Sequence, residues 1–168
     1  MLYAMQIKAG SEKKICQLCN SILPNELYQA CFYPRYEQIW KKNGQRKIIT
    51  RPLFSGYLFV DTDDILKFWQ QLWKVPELTK LLKIDRDFIS IKEEEKKFLE
   101  MHSDSNHLFK MSKGYMIGEV VKIEEGAFAG YYGKLLYIDR HNRYGIMKVK
   151  MFGKQIEMHF GLEIAYKK

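Results

Sequence analysis

The 168-residue chain predicts an α+β protein: an N-terminal α/β sandwich with an antiparallel sheet, followed by a small five-stranded β-barrel. Three observations carry this expectation. Hydrophobic residues make up 46% of the chain and aromatic ones 14%, enough to build packed cores. Up to about residue 101, stretches of helical period alternate with aromatic and β-branched runs. Beyond about residue 114 only strand alternation is found, broken at short intervals by glycine.

Tyr3 to Lys8 alternates loosely and reads as a strand. Ser11 to Leu23 carries Ile15, Leu18, Cys19 and Ile22 at three-to-four-residue spacing, which predicts a helix with Ser11 as N-cap and Pro24-Asn25 as its stop. Residues 28–50 read as a hairpin with a basic tip, because Asn43-Gly44 between two β runs tolerates the positive φ values of a tight turn. The run Arg51 to Asp61 predicts a central strand entered through a glycine turn. Ile65 to Trp73 is apolar at helical spacing, and Glu93-Glu94-Glu95 opens a further helix with acid at its positive end. The order is β-α-β-β-β-α-(β)-α. The polar, aperiodic stretch His102 to His107 places a linker at 102–113, between an N-terminal domain 1–101 and a barrel domain 114–168. In the barrel, Val121 and Ile123, Leu135 to Ile138, Met147, Val149 and Met151, and Ile156, Met158 and Phe160 mark the strands. Gly126, Gly130, Gly133, Gly145, Gly153 and Gly161 punctuate them, and this β-branched alternation favours a permanent barrel over a helical alternative.

The chain has 28 basic against 20 acidic residues, a net charge of +8, and residues 108–168 hold 11 of the basic and only 6 of the acidic ones. Such a surplus attracts polyanions, and nucleic acid is the leading partner. Three cysteines fit a reducing compartment; Cys16-Gln17-Leu18-Cys19 has metal-ligand spacing but no second pair, so helix packing is expected and no metal. No apolar run is long enough to span a bilayer and the N-terminus has no signal-peptide pattern, so a cytoplasmic protein is expected. A phosphate loop, paired carboxylates in a cleft and a nucleophile with a base are all unrecognisable, so neither catalysis nor a cofactor is expected.

Two segments carry a family resemblance. Pro52-Leu53-Phe54-Ser55-Gly56-Tyr57-Leu58-Phe59-Val60 is similar to the signature strand of the NusG N-terminal (NGN) domain. Gly118 to Gly133, with Gly126-Ala127-Phe128 at its centre, resembles the KOW motif of SH3-like barrels. The resemblance implies that Phe54, Tyr57 and Phe59 contribute to an apolar patch docking on the clamp helices of the RNA polymerase β′ subunit, although alternate members of a strand also fill a sheet core. It implies for Phe128 a surface contact with the termination factor Rho or a small-subunit ribosomal protein; the other reading is an aromatic tucked over the barrel end. Leu2-Tyr3, Ser55-Gly56-Tyr57 and Gly126-Ala127-Phe128 depart from the family's usual Trp-Tyr, Pro-Gly-Tyr and Gly-Pro-Phe. These departures point to a specialised paralogue resembling antiterminators of the RfaH and LoaP type.

Basic residues on the barrel strands, Lys122, Lys134, Arg140, Arg143, Lys148, Lys150 and Lys154, interleave with His141, Tyr144 and His159, a pattern that suits RNA loops and hairpins or else a solvated basic face; the resemblance implies a hairpin in the nascent transcript. In the first domain the resemblance implies that Lys8, Lys13, Lys14, Lys41, Lys42 and Arg46 lie along the non-template DNA; the other reading is a solubilising basic surface. The expectation is a monomeric transcription elongation and antitermination factor with no membrane contact. The alternatives are a general NusG-like elongation factor recruiting Rho or a ribosomal protein, and a ribosome-associated KOW protein gripping RNA through the barrel alone.

Overall fold

The computed structural model describes residues 1–82 and 88–167. In chain order the elements are β1 (Leu2–Gln6), α1 (Glu12–Ile22), a 3-10 turn (Asn25–Leu27), β2 (Ala30–Phe32), β3 (Arg35–Lys42), β4 (Gln45–Pro52) and β5 (Tyr57–Asp61). Then follow α2 (Ile65–Trp73), α3 (Pro76–Thr79), β6 (Phe88–Ser90), α4 (Glu93–His102), β7 (Leu108–Phe109) and β8 (Ser112–Ile117). Last come β9 (Val120–Glu125), β10 (Tyr132–Gly133), β11 (Tyr137–Asp139), β12 (Tyr144–Met151) and β13 (Lys154–Lys167). Contacts divide the chain into one unit of Met1–Tyr33, Phe54–Lys96 and Met151–Gly153, and a second of Pro34–Leu53, Lys97–Lys150 and Lys154–Lys168.

In the first unit four strands pair antiparallel in the order β2-β5-β1-β6. The expected central strand is β5, which starts at Tyr57 because Leu53 to Gly56 form the turn into it. Strand alternation divides its side chains: Leu58 and Val60 join Met5, Ile15, Cys19, Phe68 and Leu72 in the core beneath the helices. Tyr57 and Phe59 project the other way. Cys16, Cys19 and Cys31 are buried free thiols in that core, and hydrogen bonding from Cys16 and Cys19, with burial, pushes the Cys31 thiol up. Ser11 departs from its expected capping role. Its hydroxyl donates backward to the Lys8 carbonyl, and the buried Glu12 carboxylate accepts from Gly56 N at 2.7 Å and Gly10 N at 3.3 Å. At α2 the Asp64 side chain does cap, accepting from Lys67 N at 3.0 Å.

The second unit holds the β3–β4 hairpin, whose tip has Asn43 at φ 53° and Gly44 at φ 77°, as the Asn-Gly pair predicts. It also holds the six-stranded sheet β10-β9-β8-β13-β12-β11, one strand more than the expected five because β10 is a two-residue pairing. The stretch 102–113 is built rather than loose. Asp104 Oδ1 accepts from Asn106 N at 2.8 Å and Leu108 N at 3.0 Å, β7 pairs with β3, and Phe109 is buried. Gly161 lies inside β13, where a Cβ would collide with the Glu37 carbonyl of β3 and the Met111 sulfur, so its role is a close strand crossing. Gly126, at φ 93°, likewise lies against the Met111 carbonyl.

Candidate functional site

Two arrangements of side chains stand out, one in each unit. In the first, Phe54, Tyr57 and Phe59 share the sheet face opposite the helices, with Phe32 stacked on Phe59 at 5.7 Å between ring centroids. Phe59 is fully buried and Phe54 nearly so, while Tyr57 is half-buried. The ring over them is Phe152, from the two-residue turn Phe152-Gly153 that belongs to this unit. It stacks on Tyr57 at 4.1 Å and 13°, and meets Phe54 at 5.3 Å and Phe59 at 5.9 Å. Phe152 sits at φ 59°, a left-handed conformation that costs a bulky L-residue roughly 1–2 kcal/mol. The buried Glu95 holds the turn from behind: its carboxylate accepts from Gly153 N at 3.1 Å and from Lys92 N, also at 3.1 Å. Phe152 was legible only as a residue between two strand patterns; an aromatic where a tight turn prefers Asn or Gly was the available signal.

The second arrangement is a basic cleft of about 650 Å³ in the second unit. One wall is the hairpin face of Tyr36, Gln38 and Trp40, beside Arg51, whose guanidinium lies 5.7 Å from the Trp40 ring centre. The other is the β11–β12 turn with Arg140, His141, Asn142 and Arg143, continued by Tyr144 and by His159 of β13. Gln38 ties the walls together, accepting from Arg51 Nε at 2.8 Å and donating to the Asn142 carbonyl at 3.0 Å. The turn is fixed from within by Asp139, which accepts from Asn142 N at 2.8 Å and Asn142 Nδ2 at 2.9 Å; these bonds hold its carboxyl below the usual range. Tyr144 and His159 stack nearly parallel, 5.3 Å apart. Burial pushes the Tyr36 phenol up, against the opposing charge of Arg51.

The expected nucleic-acid residues distribute unevenly. Arg140 and Arg143 enter the cleft, joined by Lys41 from the hairpin. Lys148 and Lys150 share the exposed face of β12, whose alternate Met147 and Val149 are buried, and Lys154 is exposed at the start of β13. Lys122 lies beside the Tyr115 ring, and Lys134 pairs with Glu119. Arg46 is bound to Glu163 at 2.8 Å, and Lys42 is exposed near the hairpin tip. Lys8, Lys13 and Lys14 are exposed in the first unit, whereas Lys41, Lys42 and Arg46 belong to the second.

Phe128 is a correction to the expected surface contact. It is 3% exposed, with Phe98, His102, Phe109 and Phe160 around it at 4.7–6.2 Å. The end of α4 and β7 supply the wall that turns it inward, and the His102 ring is itself hydrogen-bonded to the Ala127 carbonyl at 2.8 Å. Among the described residues no group of three or more His, Cys, Asp or Glu is placed to hold a metal ion, and no helix is long and apolar enough to cross a membrane.

A family model described as "Transcription termination factor nusG" matches residues 2–100. The chain is 24% identical over 156 residues to the transcription termination/antitermination protein NusG of Campylobacter jejuni, covering 90% of this chain and 88% of that protein. It is 25% identical over 167 residues to the NusG of Vibrio parahaemolyticus, covering 95% and 92%. A solved structure described as "Domain interaction in Thermotoga maritima NusG" aligns over 95% of this chain and 92% of that one, with 17% identity and a TM-score of 0.45.

Proposed function

This chain belongs to the NusG family of transcription termination and antitermination factors, and from that premise we propose that it docks on RNA polymerase and suppresses pausing or termination in selected operons. The docking surface is the cluster of Phe54, Tyr57 and Phe59, received by the clamp helices of the β′ subunit. Residues 1–101 act as the polymerase module, 114–168 as the nucleic-acid module, and 102–113 as their connection.

One observation carries the reading. β5 sends Leu58 and Val60 into the core beneath the helices and keeps Tyr57 and Phe59 on the opposite face, where the Phe152 ring lies over Tyr57 and, with Phe32, over Phe59. An aromatic cluster closed by one strained turn is separable from its cover, and aromatic anchors in a shallow patch are the usual means of gripping a helix. The barrel's share is contact with nascent RNA through the exposed lysines of β12 and the arginines of the β11–β12 turn. The inward position of Phe128 supports this reading over recruitment of Rho or a ribosomal protein through that aromatic.

The test is a termination assay with purified polymerase and the full chain, alongside a pull-down by the β′ subunit. Tyr57→Ala should lower both polymerase retention and read-through, while Lys148→Glu with Lys150→Glu should lower read-through and spare retention. Retention unaffected by Tyr57→Ala, or co-sedimentation with ribosomes and no polymerase contact, would reject the docking assignment.

A further inference from the structure

We propose that the cleft between the β3–β4 hairpin and the β11–β12 turn is a nucleotide-capture site, taking one unpaired base of a single-stranded nucleic acid together with its flanking phosphates. This deepens the reading of the barrel as a nucleic-acid module and rests on it. It also moves the specific contact from the lysine face of β12 to a defined cavity shared with the hairpin.

Four features argue for that ligand. The cleft is about 650 Å³, within the roughly 300–1,000 Å³ of sites that enclose small ligands. Its lining includes Lys41, Arg51, Arg140 and Arg143 and has no carboxylate among the described residues. Glu163, just outside, is already engaged by Arg46 at 2.8 Å and approaches Arg143 at 3.8 Å, so it positions that arginine while leaving the other three cations uncompensated by it. Flat surfaces stand in each wall: the Tyr144–His159 stack on one side and the Trp40 ring with the Arg51 guanidinium on the other. Trp40 is 46% exposed, which leaves part of its ring open to a stacking partner.

Cations alone would suit a duplex, whose phosphates are reached without cavities. Paired flat surfaces suit an unstacked base, because every base has a face to stack and only a single strand, loop or bulge can splay one out. The acidic peptide is the weaker fit, since its carboxylates would leave both aromatic walls without a partner. Arg143 itself is held at φ 57°, and its carbonyl accepts from Leu162 N at 3.0 Å, so the turn is set before any ligand arrives.

The experiment uses the full chain and three probes of matched length: a stem-loop RNA with an unpaired loop, the same sequence as DNA, and a blunt RNA duplex. Binding is followed by anisotropy at two salt concentrations and by quenching of tryptophan fluorescence. Loop-containing probes should bind at least tenfold tighter than the blunt duplex and quench fluorescence, with the quench lost in Trp40→Phe. Tyr144→Ala should weaken loop binding roughly 5- to 100-fold and Tyr144→Phe should restore it, a stacking signature. Arg140→Ala should reduce the salt slope by about one phosphate contact. The RNA and DNA arms report which strand the cleft takes.

Equal affinity for loop and duplex, with Tyr144→Ala and Trp40→Phe silent and Lys148→Glu/Lys150→Glu abolishing binding, overturns the cleft but keeps the barrel as an RNA-binding module. No binding of any probe by the wild-type chain overturns both. Thermal unfolding of each variant confirms that a lost signal is not a lost fold.

Discussion

Replacing Phe152 by asparagine tests how the proposed polymerase patch of Phe54, Tyr57 and Phe59 is covered. The substitution removes the ring from its contacts with Tyr57, Phe54 and Phe59, at 4.1, 5.3 and 5.9 Å. Each aromatic pair contributes about 0.5–1.5 kcal/mol beyond burial, so the three together hold the turn down by roughly 2–4 kcal/mol. Against this, the left-handed φ of 59° that strains phenylalanine suits asparagine, which returns about 1 kcal/mol and keeps a two-residue Asn-Gly hairpin between β12 and β13. The net loosening of the cover is about 1–3 kcal/mol. A patch that is mostly covered binds with an affinity reduced by its uncovered fraction, so polymerase affinity should rise roughly 5- to 150-fold.

The assay is titration of labelled protein with core polymerase, beside circular dichroism to show that the barrel strands are retained. A second handle reaches the same turn from behind: Glu95→Ala removes the acceptor for Gly153 N and for Lys92 N, and should raise affinity in the same direction while costing α4 about 1 kcal/mol as a lost cap. Affinity that stays level or falls in both variants, with the fold intact, would refute the idea that Phe152 occupies the docking surface.

Gly161→Ala should lower stability by about 2–3 kcal/mol, because the new methyl meets the Glu37 backbone carbonyl and the Met111 sulfur; a thermal melt should show a fall of roughly 4–12 °C. Burial, with Arg35 adding and Asp104 opposing, holds the His107 imidazole below its ordinary 6.5. The unfolded chain therefore binds a proton first as pH falls, so stability is complete above pH 6.5 and declines below it towards the folded-state pKa. Melts at pH 7.5 and 5.5 should show that decline in the wild type and a smaller one in His107→Asn, which keeps a residue tolerant of its φ of 57°. Lys148→Glu with Lys150→Glu should weaken binding to all RNAs and flatten the salt dependence by roughly two phosphate contacts, read from affinities at several salt concentrations.

The features legible in the sequence are those set by neighbours along the chain. Asn43-Gly44 fixes its hairpin because both residues accept positive φ, and Met147, Val149 and Met151 alternate with Lys148 and Lys150 because a strand exposes every second side chain. Phe128 was ambiguous for the opposite reason. Whether it faces water depends on Phe98 and His102 at the end of α4 and on Phe160 in β13, which no local pattern brings together. The same holds for the cleft: Arg140 and Arg143 were visible as cations, but Trp40 and Arg51 join them only because the hairpin packs in the second unit, with Gln38 bonded to Asn142.

A signal for both sites was nonetheless present in the turn chemistry. Among the described residues, four other than glycine adopt positive φ: Asn43, His107, Arg143 and Phe152. Asparagine and, to a lesser degree, histidine tolerate that conformation; arginine and phenylalanine gain nothing locally from it. A chain selected for stability alone would place glycine or asparagine at 143 and 152, as it does at 43 and 44. Keeping a cation at the mouth of the cleft and an aromatic over Tyr57 at a local cost points to demands made outside the turns themselves. On the functions proposed above, the first demand is that of a ligand in the cleft, and the second that of a cover over the patch on β5.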